Sequence, residues 1–216
     1  SWKSINHKRI PSPALVQAVK RESLFLSLSG LASLVCVHLD RVLIFNQLDS
    51  RSLAIYANGM IVGMSINALF KTALGSVNGR LAFVKIEPWH YLVVLAFGSV
   101  LGLAGAFFMP VIITVLFGAK FSGSAIFSQV VLVSLGLYLL SNILFDNIIF
   151  GKESHIEAIY LNNVLVSIGQ FLSLLAVFYI FSGSEHLLIM FAFLYPWKAF
   201  LSIVVLVSSK WILNHG

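Results

Sequence analysis

Charge is scarce in this sequence: only 10% of its residues are Asp, Glu, Lys or Arg, while 59% are hydrophobic. Soluble domains carry roughly 25% charged and 45–50% apolar residues, so a water-soluble fold has too little polar surface to cover this chain. Cysteine is almost absent. The single Cys36 excludes an intrachain disulfide, and it has no Cys or His partners at ligand spacing to build a thiolate metal site. The six histidines (His7, His38, His90, His155, His186 and His215) show neither metal-ligand nor triad spacing. A glycine pair followed by Lys and Ser/Thr, the phosphate-cradling loop, is also missing. No metal, cofactor or enzyme activity is expected. The opening segment, Ser1 to Ser23, is polar and basic and lacks the apolar centre of a secretory signal peptide. Because the chain opens with Ser1, it is expected to be a fragment of a longer protein.

Long apolar stretches are what the sequence does have. Six are near the roughly 20 residues needed to cross hydrocarbon: 24–45, 53–70, 91–116, 126–149, 158–181 and 187–209. Backbone groups in lipid must pair within their own segment, and the alternating pattern of a barrel strand is absent, so these stretches are expected to be helices. The expected class is all-α, a polytopic six-helix transmembrane bundle over 24–209. A basic cytoplasmic segment (1–23) precedes it and a short tail (210–216) follows.

The net charge of +6 comes from basic residues lying between the apolar stretches, not from a stripe with interleaved aromatics, which argues against nucleic acid as a partner. Alternating the connections puts ten basic residues on one side, among them Lys20, Arg21, Lys71, Arg80, Lys85 and Lys152, and Arg41, Arg51 and Lys120 on the other. The positive-inside rule then places both termini in the cytoplasm. Between the second and third stretches, 80–86 is expected to form a short helix in the headgroups, and 117–125 to lie flat on the outer face.

Two kinds of residue stand out within the stretches. Gly59 and Gly63, continued by Asn67, and Gly98, Gly102 and Gly105 are small-residue rows that let helix backbones meet, inside one bundle or across a homodimer seam. Ionisable or amide groups at membrane depth are the second kind, and each is a functional candidate. Asp40 and Arg41 lie near the outer end of the first helix. Asn142 and Asp146 share a face of the fourth. Lys198 follows Pro196 and lies about 16 Å along the helix axis from Leu187, near mid-membrane. Two readings stand for Lys198: a structural ion pair with Asp146, or a cationic site for an anionic substrate. In the fifth helix Asn163, Ser167, Gln170 and Ser173 share one face, which suits either sugar hydroxyls or plain interhelical hydrogen bonding.

Three segments carry a resemblance. LDRVLIFNQLDSRSLAIYANG (39–59) has a helix ending in Asp40 and apolar residues, a short loop and an "xIYA" helix start at Ala54 to Ala57. MPVIITVLFGAKFSGSA (109–125) has an apolar helix end and a Phe-Gly-x-x-Phe loop, and IIFGKESHIEAIYLNN (148–163) has a Gly-Lys turn. Together they resemble the C-terminal half of O-antigen flippases, in the multidrug/oligosaccharidyl-lipid/polysaccharide exporter superfamily. The resemblance implies two six-helix lobes around a central cavity, with this chain as one lobe and an N-terminal lobe as its missing partner. It implies a lipid-linked oligosaccharide substrate, carried on undecaprenyl diphosphate across the bacterial inner membrane by alternating access. The alternatives are a drug or cation antiporter of the same superfamily and, from a different class, a membrane-embedded lipid-linked sugar polymerase or ligase. Short outer loops argue against the enzyme.

Overall fold

A computed structural model describes residues 13–78, 87–150, 156–184 and 186–215. Among these the chain is all-helical: α1 (Pro13–Gln47), α2 (Ser50–Asn78), α3 (Pro88–Phe117), a 3₁₀ turn (Ala119–Ser124), α4 (Ala125–Val133), α5 (Leu135–Phe150), α6 (Ile156–Phe181) and α7 (Leu187–His215). The expected headgroup helix over 80–86 and the Gly-Lys turn at 151–152 lie outside the described residues. The connection 117–125, expected on the outer face, contains the 3₁₀ turn, entered at Gly118 with φ 85°, where a left-handed backbone favours glycine.

The expectation of six spans is met in part. Among the described residues four helices are long and apolar enough to cross a membrane: 50–75, 88–117, 158–181 and 187–209. A fifth crossing results if α4 and α5, bent by 42°, are one broken span. The remaining candidate, 24–45, lies inside α1. Together these features make the chain compatible with an α-helical multi-pass membrane protein. Its surface agrees: α3 leaves Phe97, Phe107, Val111 and Val115 more than half exposed, with Phe107 at 77%. Water penalises such a face and hydrocarbon does not.

The helices also outrun the apolar stretches. Pro13 begins α1, as the fixed φ of proline suits the first helical position, so 13–23 continues the helix instead of standing apart from it. α2 runs past Phe70 to Asn78, and α7 continues to His215. Asp49 starts α2 by accepting the Ser52 N–H at 2.7 Å, and hydrogen bonding from Ser52 holds its carboxyl below the usual carboxylate range.

The expected single helix over 126–149 is broken at Ser134, whose φ of −83° and ψ of 4° end α4. The Ser134 hydroxyl donates to the Val131 carbonyl at 2.6 Å, a side-chain bond standing in for the helical ladder. Glycines bring α3 against this broken helix. A Cβ at Gly102 would overlap the Leu132 carbonyl, and one at Gly98 would come within 2.7 Å of the Gly136 Cα. On α2, a Cβ at Gly59 would overlap the Ser124 carbonyl, and one at Gly63 would meet the Val131 Cβ at 2.9 Å. Gly105 departs from its row: a Cβ there would meet Leu132 Cδ1 at an ordinary 3.4 Å. Polar side chains on this seam are spent on backbone. Ser128 donates to the Gly59 carbonyl at 2.6 Å, and Gln129 donates at 3.0 Å to the Ala106 carbonyl, which Pro110 leaves without its helical N–H.

The largest apolar core lies toward the end of the bundle where α1 meets α2 and α6 meets α7. Ile44, Tyr56, Met60, Phe127, Leu187 and Phe191 pack there.

Candidate functional site: a polar cavity among five helices

α1, α2, α5, α6 and α7 enclose a cavity of about 470 Å³, within the range of small-molecule sites. α3 takes no part in it. The α6 wall supplies Asn162, Asn163, Val166, Ser167, Gln170 and Leu174, positions three and four apart that form one face. From α7 come Phe191, Leu194, Tyr195, Lys198, Ala199 and Ser202, by the same spacing. α5 contributes Tyr138, Ser141, Asn142 and Phe145, α2 contributes Met60, Met64 and Lys71, and α1 contributes Asp40.

Five of the seven candidate cavity residues therefore share one space: Asp40, Asn142, Asn163, Gln170 and Lys198. Two are placed elsewhere. Asp146 is half-buried on α5, one turn beyond Asn142, and does not line the cavity. Arg41 is half-buried beside Asp40, and its backbone N–H donates to the Asp40 carboxylate at 2.7 Å. Ser173 also leaves the polar face of α6. It donates to the Gly169 carbonyl at 2.7 Å and accepts the indole N–H of Trp197 at 2.8 Å, a contact that ties α6 to α7.

The chemistry of the lining is mostly neutral and polar. Ser141 donates to Ser202 at 3.0 Å, and Ser202 donates to the Asn162 side-chain carbonyl at 3.1 Å, a relay joining α5, α7 and α6. Asn142 donates to the Tyr138 carbonyl one turn back at 2.7 Å. Asp40 accepts the Tyr56 hydroxyl, which crosses from α2. Asn67, at the end of the Gly59–Gly63 row, is fully buried behind the wall and donates to the Val131 carbonyl at 3.4 Å and to the Tyr195 hydroxyl at 3.3 Å. Aromatic faces complete the enclosure, with the rings of Tyr138 and Tyr195 5.7 Å apart.

Charge enters the lining at three points: Asp40, Lys71 and Lys198. Lys198 is half-buried and Lys71 exposed, so the cavity is more open toward the α2–α3 end. Sequence alone does not single out Lys71 as a lining residue, nor Ser141, Asn162 and Ser202. Ser202 is within its reach, being one turn past Lys198 on the same face. Lys71 is not, because the apolar stretch ends at Phe70 and only the structure carries α2 onward through it. The described residues hold no group of three or more His, Cys, Asp or Glu able to bind a metal.

No family model matches the chain, and neither does a curated protein or a solved structure.

Proposed function

We propose that this chain is one lobe of a polysaccharide exporter of the O-antigen flippase type. It would move undecaprenyl-diphosphate-linked oligosaccharide across a bacterial inner membrane by alternating access against a second six-helix lobe. One observation carries this reading: a cavity bounded by apolar helices gathers amides, hydroxyls and the side chain of Lys198. Sugar hydroxyls need neutral donors and acceptors, a diphosphate needs a cation, and a lipid tail can stay in the hydrocarbon outside the bundle. A translocation site near the midplane between moving halves is a general transporter arrangement. In this reading α1 is the first span and the bent pair α4–α5 the fourth, which restores six crossings. Ten basic residues against three then put both termini and Lys71 on the cytoplasmic side. No covalent step, metal or cofactor is invoked.

Asp40 favours a second reading. A carboxylate in the lining, with Met60, Met64, Phe145 and Phe191 around the same space, suits an apolar cation, the cargo of a drug antiporter.

The test is complementation of a strain lacking its own flippase, using the complete reading frame. Lys198→Ala should abolish surface polysaccharide at normal protein level, because a Lys at this depth costs about 2.5–3.5 kcal/mol in lipid and its charge is of use where an anion enters. Lys198→Arg should keep part of it. Full export by Lys198→Ala would remove the flippase reading. Resistance to a lipophilic cation that is lost with Asp40→Asn would put the antiporter in its place.

A further inference from the structure

The cavity has one sealed end and one open end. Met60, Leu174, Phe191 and Leu194 line it and also belong to the main apolar core, together with Ile44 and Tyr56 beside the α1–α2 turn and Leu187 at the start of α7. Packed side chains therefore close the cavity at the end where those two turns lie. Three helices carry the lining away from this seal by nearly the same distance along their axes. Lys71 lies about 16 Å from Met60 on α2, Asn162 about 18 Å from Leu174 on α6, and Ser202 about 16 Å from Phe191 on α7. Among the described residues that line the cavity, Lys71 alone is exposed, which marks its end as the mouth. The hydroxyl next to it in sequence, Thr72, is spent on the Ala68 carbonyl of its own helix at 2.9 Å.

Charge is ordered along this inlet. Asp40, bonded to the core residue Tyr56, sits at the sealed end. Lys198 lies part-way, about 10 Å along α7 from Phe191 toward the mouth, and Lys71 stands at the mouth itself. A cleft with low-dielectric walls focuses the field of its charges, so this order draws an anion in and turns a cation away at the entrance.

We propose that Lys71 is the capture residue of this cavity, its amine taking hold of a phosphate-bearing anionic head at the open end before the head reaches the depth of Lys198. The proposal deepens the lipid-linked reading above and rests on it, the head there being the diphosphate of a lipid in the leaflet at that end. An exposed charge at a rim acts on the rate of arrival and its salt dependence, whereas a buried charge pair acts on the rate of departure. Lys71 is therefore separable from every deeper group by kinetics.

The test is the binding kinetics of farnesyl diphosphate on the complete chain in nanodiscs of phosphatidylcholine. Lys71→Gln should slow association about threefold to tenfold and leave dissociation within about twofold, and Lys71→Arg should restore most of the rate. The slowing should be large at about 10 mM salt and gone at about 1 M, as the Debye length falls from about 30 Å to about 3 Å. Lys120→Gln removes another exposed charge, outside the cavity lining, and should leave the rate unchanged. Equal slowing by Lys120→Gln would assign the effect to net charge and overturn the proposal. An unchanged association rate in Lys71→Gln also overturns it and leaves the lipid-linked reading standing. Should Lys71→Gln fail to fold, Lys71→Cys in a Cys36→Ala background can be labelled after purification with a cationic or a neutral thiosulfonate. Only the cationic label should give the fast rate, and equal rates overturn the proposal. Inorganic diphosphate identifies the source of the head, and it should not displace the farnesyl ester at equal concentration. If it does, the head comes from water, and the lipid-linked reading falls while the capture role stands. If the unsubstituted protein binds neither, both fall together.

Discussion

The two sides of α5 solve opposite problems. Toward α3, Gly136 faces Gly98 across a seam where a single added Cβ has no room, and α4 continues this contact with the Leu132 carbonyl against Gly102. Toward α6 and α7, Ser141, Asn142 and Phe145 hold the neighbours apart around an open volume. Overall apolarity does not separate the two sides. What differs is the fate of the polar groups. On the seam, Ser128 and Gln129 end on backbone carbonyls, whereas in the cavity Ser141 and Ser202 bond onward to side chains, ending at Asn162. A polar residue inside an apolar helix is thus a functional signal only once the backbone has been ruled out as its partner.

The sharpest way to break the comparison is to fill the seam. Gly102→Leu should destabilise the protein by about 3 kcal/mol, the upper part of the overpacking range, because backbone and not a flexible side chain stands in the way. Gly105→Ala, on the next turn, should change stability by less than about 0.5 kcal/mol, since its Cβ finds ordinary contact. Thermal unfolding in detergent checks both, and equal losses would mean that the two glycines share one environment. A smaller but more selective effect should come from water access. In a Cys36→Ala background, a cysteine replacing Asn163 should react with a membrane-impermeant maleimide applied to inverted vesicles, and one replacing Phe107 should not, although Phe107 is the more exposed side chain. Labelling at Phe107 would place water on α3 and remove lipid as the reason for its apolar face. The smallest effect concerns α2, the helix common to both sides. The carboxyl of Asp49 is held below its usual range by Ser52, so its contribution is complete above the unfolded value of about 3.9 and is lost as pH falls through the lower folded value. The Tm of the unsubstituted protein should acquire a small extra decline there, and Asp49→Asn should lack it.

Much of the cavity is legible in the sequence because an amide or amine is conspicuous in an apolar stretch. Lys198, Asn142, Asn163, Gln170 and Asp40 stand out this way, and helical spacing places Ser167 with them. Glycine rows are equally plain, although spacing alone does not tell Gly102, where backbone blocks a side chain, from Gly105, where it does not. Asp146 and Arg41 fall outside the cavity for a related reason: a charge near a helix end has several directions open to it, and only the neighbouring helices decide among them. Serines are easily passed over because hydroxyls in membrane helices usually return to their own backbone, as Ser173 and Ser209 do here. Ser141 and Ser202 do not. The break at Ser134 leaves little trace, since serine neither forbids helix as proline does nor removes a side chain, and what ends α4 there is local hydrogen bonding beside a crowded seam.

That break has a geometric consequence. Asn142 lies about 12 Å along the axis from Ser134, and a 42° deflection over that length displaces it sideways by about 8 Å. This is close to the distance between the axes of two packed helices. A straight rod would have kept Asn142 and Ser141 in the lane already set by α4. The elbow instead carries them toward the next lane, so that one bent pair of helices serves as strut at one end and as cavity lining at the other.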